Sequence, residues 1–149
     1  METKKEIKFT LKFSSINVIK FSQYDVSDFT IKDEDFIEYE NNFEIRVFDD
    51  TKEIGLLSTT KLKVLEINEI FCELKLLSKF RITNFDEVII KKSEESFDIP
   101  QQIIKSFATI VIGTVRGILH EKLKGTVLQN EVFPLVDLKD FKVGVKSGE

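Results

Sequence analysis

Near the start of the chain Ile7, Phe9, Leu11 and Phe13 alternate with Lys8, Thr10 and Lys12. This is the two-residue period of a strand with one face on a core and the other in water. The alternation then slips: Ile16 and Val18 take the opposite phase, and Ile19 and Phe21 return to the first. A long first strand with a β-bulge or bend accounts for the slip. Residues 24–42 interleave Phe29, Ile31, Phe36, Ile37 and Tyr39 with Asp25, Asp28, Asp33, Glu34, Asp35, Glu38 and Glu40. Disordered segments are poor in aromatics, so a crossover lying on the body of the domain is expected. Phe43, Ile45 and Val47 alternate with Glu44 and Arg46 in a second strand, closed by a turn at residues 49–52. A third strand rises over residues 61–67, with Leu62 and Val64 in phase and a hairpin connection at residues 66–69. The clearest strand follows, with Ile70, Cys72, Leu74, Leu76, Ser78, Phe80 and Ile82 on one face and Glu73, Lys75, Lys79 and Arg81 on the other. Short polar turns between neighbouring strands favour an antiparallel meander.

The period changes at Asp98, which stands three residues before Gln101 as in a capping box, with Pro100 in the first turn. Apolar residues from Ile103 to Leu119 and a stop at Gly125 predict one helix of about 25 residues. Its apolar surface is wider than one face of a small sheet covers, so a second subunit is expected to bury part of it. Gly113 and Gly117, four apart, would let another helix approach closely, or are two tolerated glycines. Cys72, Leu74 and Leu76 share one side of their strand and are expected to meet that interface. Residues 126–141 read as extended and apolar around Pro134, and a flexible tail is expected from about residue 143. The fold class is therefore α+β, a four-stranded antiparallel sheet with a long first strand and one long helix packed on it.

Composition narrows the function. At 149 residues with a net charge of −4, the chain suits a single domain able to hold a core unaided. The mild acidity argues against nucleic-acid binding, which needs clustered unbalanced Lys and Arg. No apolar run approaches the roughly 20 residues of a membrane span, and the opening residues lack a signal segment, so a cytoplasmic protein without membrane insertion is expected. One cysteine excludes an intrachain disulfide, and one histidine, His120, leaves no set of metal ligands. Cys72 stands in the apolar phase of a strand, where a thiol is core rather than nucleophile. The acids of the crossover lack the spacing of a calcium loop, and no glycine loop suits a phosphate. No catalytic residue, metal or cofactor is expected.

Several segments resemble the bacterial SecB export-chaperone family. Phe71-Cys72-Glu73-Leu74 looks like the family's apolar-Cys-Glu-Val strand segment and runs on to Phe80-Arg81-Ile82. Gly125-Thr126-Val127-Leu128-Gln129, with Pro134 and Phe141 beyond it, is similar to the stretch after the family's long helix. In the first strand Phe9, Leu11, Ile19 and Phe21 fit. The similarity spans residues 7–141. It implies a homotetramer, a dimer of dimers, that holds unfolded or export-destined polypeptides in apolar grooves without ATP. For such a holdase the client-binding residues would be Phe29, Phe36, Ile37 and Tyr39 of the crossover and Phe133, Leu135 and Phe141 after the helix, apolar groups among charges.

The family docks a SecA-type translocase motor through acids on the outer sheet face. Phe71 and Glu73 match that surface, but Val18 and Ser22 stand where the first strand carries acids. The family's second, C-terminal helix has no counterpart. Relatives dedicated to one aggregation-prone partner, such as an antitoxin, fit these departures. Two other classes stay open: a binding module for one fixed partner or apolar ligand, and an enzyme.

Overall fold

The computed structural model describes residues 9–24, 37–94 and 96–131, and the backbone of residues 143–147. In chain order the elements are β1 (Leu11–Gln23), β2 (Ile37–Phe48), β3 (Glu53–Val64), β4 (Glu69–Ile82), α1 (Phe85–Val88), β5 (Ile90–Lys91), β6 (Phe97–Asp98), α2 (Gln101–Lys122) and β7 (Val143–Ser147). The main sheet runs β1-β4-β3-β2-β7, its first four strands antiparallel. That is the expected meander with a long first strand. β7 extends it, parallel to β2, with Val143 opposite Phe43 and Ser147 opposite Val47. A fraying tail was expected there, because glycine and lysine weaken strand propensity; a free sheet edge supplied the missing partner.

The phase slip in β1 is resolved by its pairing. The register against β4 shifts between Phe13 and Ser15 and again between Val18 and Lys20. Each shift adds one residue, so Phe13, Ile16, Val18 and Phe21, which fall in two phases of the sequence, lie opposite Phe80, Ser78, Leu76 and Leu74 on one face. β2 begins at Ile37, well before the strand read from the alternation at Phe43, and Ile37 and Tyr39 belong to it rather than to a crossover.

β3 starts at Glu53, directly after the turn, although residues 53–60 carry no alternation. It is a central strand with Ile54 to Ser58 buried on both faces, and a strand covered on both sides reads as a continuous run. Gly55 makes the second covering possible: a Cβ there would lie 2.9 Å from the Phe48 ring and 3.3 Å from Leu77. The two hairpin loops, residues 49–52 and 65–68, each end on a residue with φ of 58°, Lys52 and Asn68. Asn tolerates that region better than Lys.

One face of the sheet carries the core, including Val47, Ile54, Leu56, Leu62 and Phe80. α2 lays Ile103, Phe107, Val111, Val115 and Leu119 onto it, the stripe expected of a helix with one buried side. Phe107 meets Phe80 at 5.6 Å between ring centroids, and Phe80 meets Phe13 at 4.3 Å. Each such buried side chain contributes about 1.5–3 kcal/mol. Cys72, Leu74 and Leu76, expected at a subunit interface, are at most 1% exposed within the chain itself, because α2 already covers their strand face.

The capping box does not form. Asp98 pairs opposite Ile90 in the β5–β6 ladder, and Pro100 is the N-cap, its carbonyl accepting from the Ile103 and Ile104 amides. α2 ends at Lys122, and Gly125 takes a φ of 78° in the turn beyond. Residues 126–130 form turns rather than an extended segment; the Thr126 hydroxyl donates to the Leu123 carbonyl at 2.7 Å. By length and composition α2 could span a bilayer, against the expectation of no segment long and apolar enough to do so. Its buried stripe against the sheet is that of a core helix.

Candidate functional site

α2 crosses the sheet at a position that leaves its two flanks unequally covered. Towards β2, a cavity of about 310 Å³ opens between helix and sheet. Tyr39 of β2 and Leu62 of β3 form one wall, directly opposite each other in register. Leu119 and Leu123 form the base, and Gly113, Arg116, Gly117 and His120 the helix side, with Glu131 at one end. The lining is apolar with a few polar groups at the rim, the composition of most ligand pockets.

The two glycines account for the space. A Cβ built at Gly113 or Gly117 would have no atom of the described residues within 4 Å, so none of them requires glycine at either position. Each costs about 1 kcal/mol relative to alanine in a helix interior. The backbone therefore borders open volume where any other residue would begin to fill it.

Tyr39 fixes the far end. Its hydroxyl donates to Glu131 Oε1 at 2.7 Å, joining β2 to the segment after α2. Burial, and then the Glu131 carboxylate, push the phenol well above its ordinary range, so it stays a protonated donor. Among the described residues no group of His, Cys, Asp and Glu is arranged to hold a metal.

The other flank of α2 stops short of β1. Phe13, Ile16, Val18 and Ile19 are 37%, 45%, 44% and 53% exposed, an apolar row on an edge strand beside the helix. Farther along, the Lys122 ammonium sits 5.7 Å from the Phe21 ring centroid, capping the row at one end.

Of the sequence-derived site residues, Ile37 and Tyr39 are half-buried on β2, and only Tyr39 lines the cavity. Phe29, Phe36, Phe133, Leu135 and Phe141 lie outside the described residues. Gly113 and Gly117 line the cavity together. Phe71 is 4% exposed where the β3–β4 register shifts, and so offers little surface for docking. Glu73 is on the opposite face of β4, accepting from Lys20 Nζ and from the Tyr24 hydroxyl, each at 3.4 Å. Burial pushes the Cys72 thiol up to about 11, as a core role requires. Leu62, Arg116, Leu123 and Glu131 were not legible as site residues. The available signal was the helical spacing of Gly113, Arg116, Gly117 and His120, which places a small-residue notch between two polar groups on one flank.

No protein-family model matches the sequence, and none of the curated proteins compared with it matches either. Among solved structures the chain is similar to a SecB-like chaperone of Mycobacterium tuberculosis, determined in complex with a ChAD peptide from the HigA1 antitoxin. The TM-score is 0.52 at 8% identity, over 85% of each chain. The α+β fold, four antiparallel strands and a long helix, is thus shared with that protein.

Proposed function

We propose that the protein is a SecB-like, ATP-independent holdase that binds unfolded polypeptide segments by taking their apolar side chains into the cavity between β2 and α2. The observation that carries this reading is the open cavity bordered by Gly113 and Gly117, two helix glycines with no packing role among the described residues. The shared fold supports it. Two or three inserted side chains contribute about 3–9 kcal/mol before the ordering cost of the bound segment. That gives reversible binding, as a holdase needs, and release requires no nucleotide. Neither catalysis nor a cofactor enters, and the site of action is the cytoplasm.

Association of subunits into a dimer of dimers belongs to the same proposal. Its support is the exposed row of Phe13, Ile16, Val18 and Ile19 on an edge strand, which replaces the buried Cys72, Leu74 and Leu76 as the surface a second subunit would cover.

A dedicated partner, such as an antitoxin, is favoured over general export by one observation. The matching features of a motor-docking face are engaged inside the chain, Phe71 by burial and Glu73 by Lys20 and Tyr24. Light scattering of a chemically unfolded model client separates these readings. Suppression near stoichiometric amounts without nucleotide, lost in Gly117→Leu, supports the holdase. No suppression by the wild type excludes a general holdase and leaves only a dedicated partner.

A further inference from the structure

The face of the sheet turned away from α2 carries an arrangement that folding alone does not favour. In the β1–β4 ladder Lys12 lies directly opposite Arg81, and Lys20 directly opposite Lys75. Like charges facing each other across an antiparallel pair are destabilising. Lys79 stands between these two rows on β4, its ammonium 4.2 Å from the Phe48 ring centroid. Local acids offset the charge only in part. Glu73 is engaged with Lys20 at 3.4 Å, and Glu53, opposite Arg81 on β3, interacts with Lys79 and Arg81 while accepting from the Ser14 hydroxyl. Lys12, Lys20 and Arg81 are exposed and Lys75 half-exposed.

Half-exposed Leu77 occupies the row between the two like-charged pairs, opposite Asn17. Arg81 lies six residue steps along β4 from Lys75, about 20 Å of extended strand. The surface is therefore cationic at both ends and apolar at its centre, on a chain whose net charge is −4.

We propose that this outer face of β1 and β4 docks an acidic polypeptide segment, carboxylates at both cationic rows and an apolar residue against Leu77. Charge complementarity selects this occupant. A nucleic acid is disfavoured because its uniform phosphate backbone would meet Leu77 and the net negative charge of the whole chain. The proposal is independent of the β2–α2 cavity and does not need the holdase reading.

The test is fluorescence anisotropy with a labelled poly-Glu peptide carrying one central Leu, titrated with the full chain at low and at physiological salt. The wild type should bind, and more weakly as salt rises. Lys75→Gln combined with Arg81→Gln should lower affinity at least about tenfold while the fold persists, since it removes one partner of each like-charged pair as well as the attraction of Arg81 for Glu53. Glu73→Gln, which releases Lys20, should tighten binding. Unchanged affinity in the double variant overturns the proposal. So does equal or tighter binding of a single-stranded oligonucleotide of matched charge, or failure of the wild type to bind the peptide at low salt.

Discussion

Replacing both Gly113 and Gly117 with alanine should stabilise the protein, an unusual expectation for paired glycines in a helix. Neither ideal Cβ position has an atom of the described residues within 4 Å, so two methyl groups enter without strain against them. Each substitution removes backbone freedom from the unfolded chain, for about 0.5–1 kcal/mol, and the pair should gain about 1–2 kcal/mol. For a chain of 149 residues that corresponds to a rise in melting temperature of roughly 2–8 °C, at about 2–4 °C per kcal/mol. Thermal unfolding followed by circular dichroism measures it. Client binding should move the other way, because the methyls begin to fill the cavity of about 310 Å³, and Gly117→Leu should abolish it while the fold persists. Aggregation suppression per folded molecule supplies the second axis. If the alanine pair lowers the melting temperature, the glycines are held by a contact beyond the described residues, such as a second helix. If Gly117→Leu keeps full activity, the cavity is not where clients bind.

Other expectations rest on separate parts of the fold. The Ser78 hydroxyl is buried beneath α2 without a hydrogen-bond partner, so Ser78→Ala should raise stability by about 1 kcal/mol in urea unfolding. The Cys72 thiol, pushed up to about 11 by burial, should resist alkylation at pH 8 until the protein unfolds; rapid labelling of the native protein would place it outside the core. Ser14 foremost, then Thr51, Lys79 and Arg81, hold the Glu53 carboxyl below its usual range. The stability it contributes is present above the ordinary glutamate pKa and is lost as pH falls through the lower folded value. Glu53→Gln should therefore lower stability near neutrality and converge with the wild type in acid, as unfolding midpoints across a pH series would show. Val18→Asp, on the exposed row of β1, should reduce the mass measured by light scattering after gel filtration without a large loss of thermal stability; an unchanged assembly would place the subunit contact elsewhere.

The features read correctly from sequence are those where local pattern and tertiary role coincide. β4 alternates cleanly because one face meets α2 and the other meets water. The slip in β1 marked a real irregularity, although only the pairing with β4 reveals two bulges, the first returning Ile16 and Val18 to the face of Phe13 and the second returning Phe21. β3 was invisible between residues 53 and 60 because burial on both faces erases alternation, and only the structure sets Phe48 against Gly55. Asp98 satisfied a capping pattern yet took a strand ladder with Ile90, a case of tertiary pairing overriding a local motif. The cavity was half legible. Gly113 and Gly117 stood out, but whether a glycine notch meets another helix or an empty space depends on how far α2 lies from β2, which no periodicity encodes. Cys72, Leu74 and Leu76 show the same limit: an apolar face calls for a cover, and α2 of the same chain supplied it.

Site-specific crosslinking tests the role of the cavity most directly. A photoreactive phenylalanine analogue is placed at His120, exposed on the helix side of the cavity where it leaves the glycine notch open, and in a second protein at Glu87, exposed on α1 and outside the cavity lining. Each protein is irradiated with a chemically unfolded client and, separately, with the same client folded. Binding of unfolded segments between β2 and α2 predicts adducts from position 120 with the unfolded client alone, competed away by excess unlabelled unfolded chain, and none from position 87. Equal adducts from both positions, or none from position 120 under conditions where aggregation is suppressed, would contradict it.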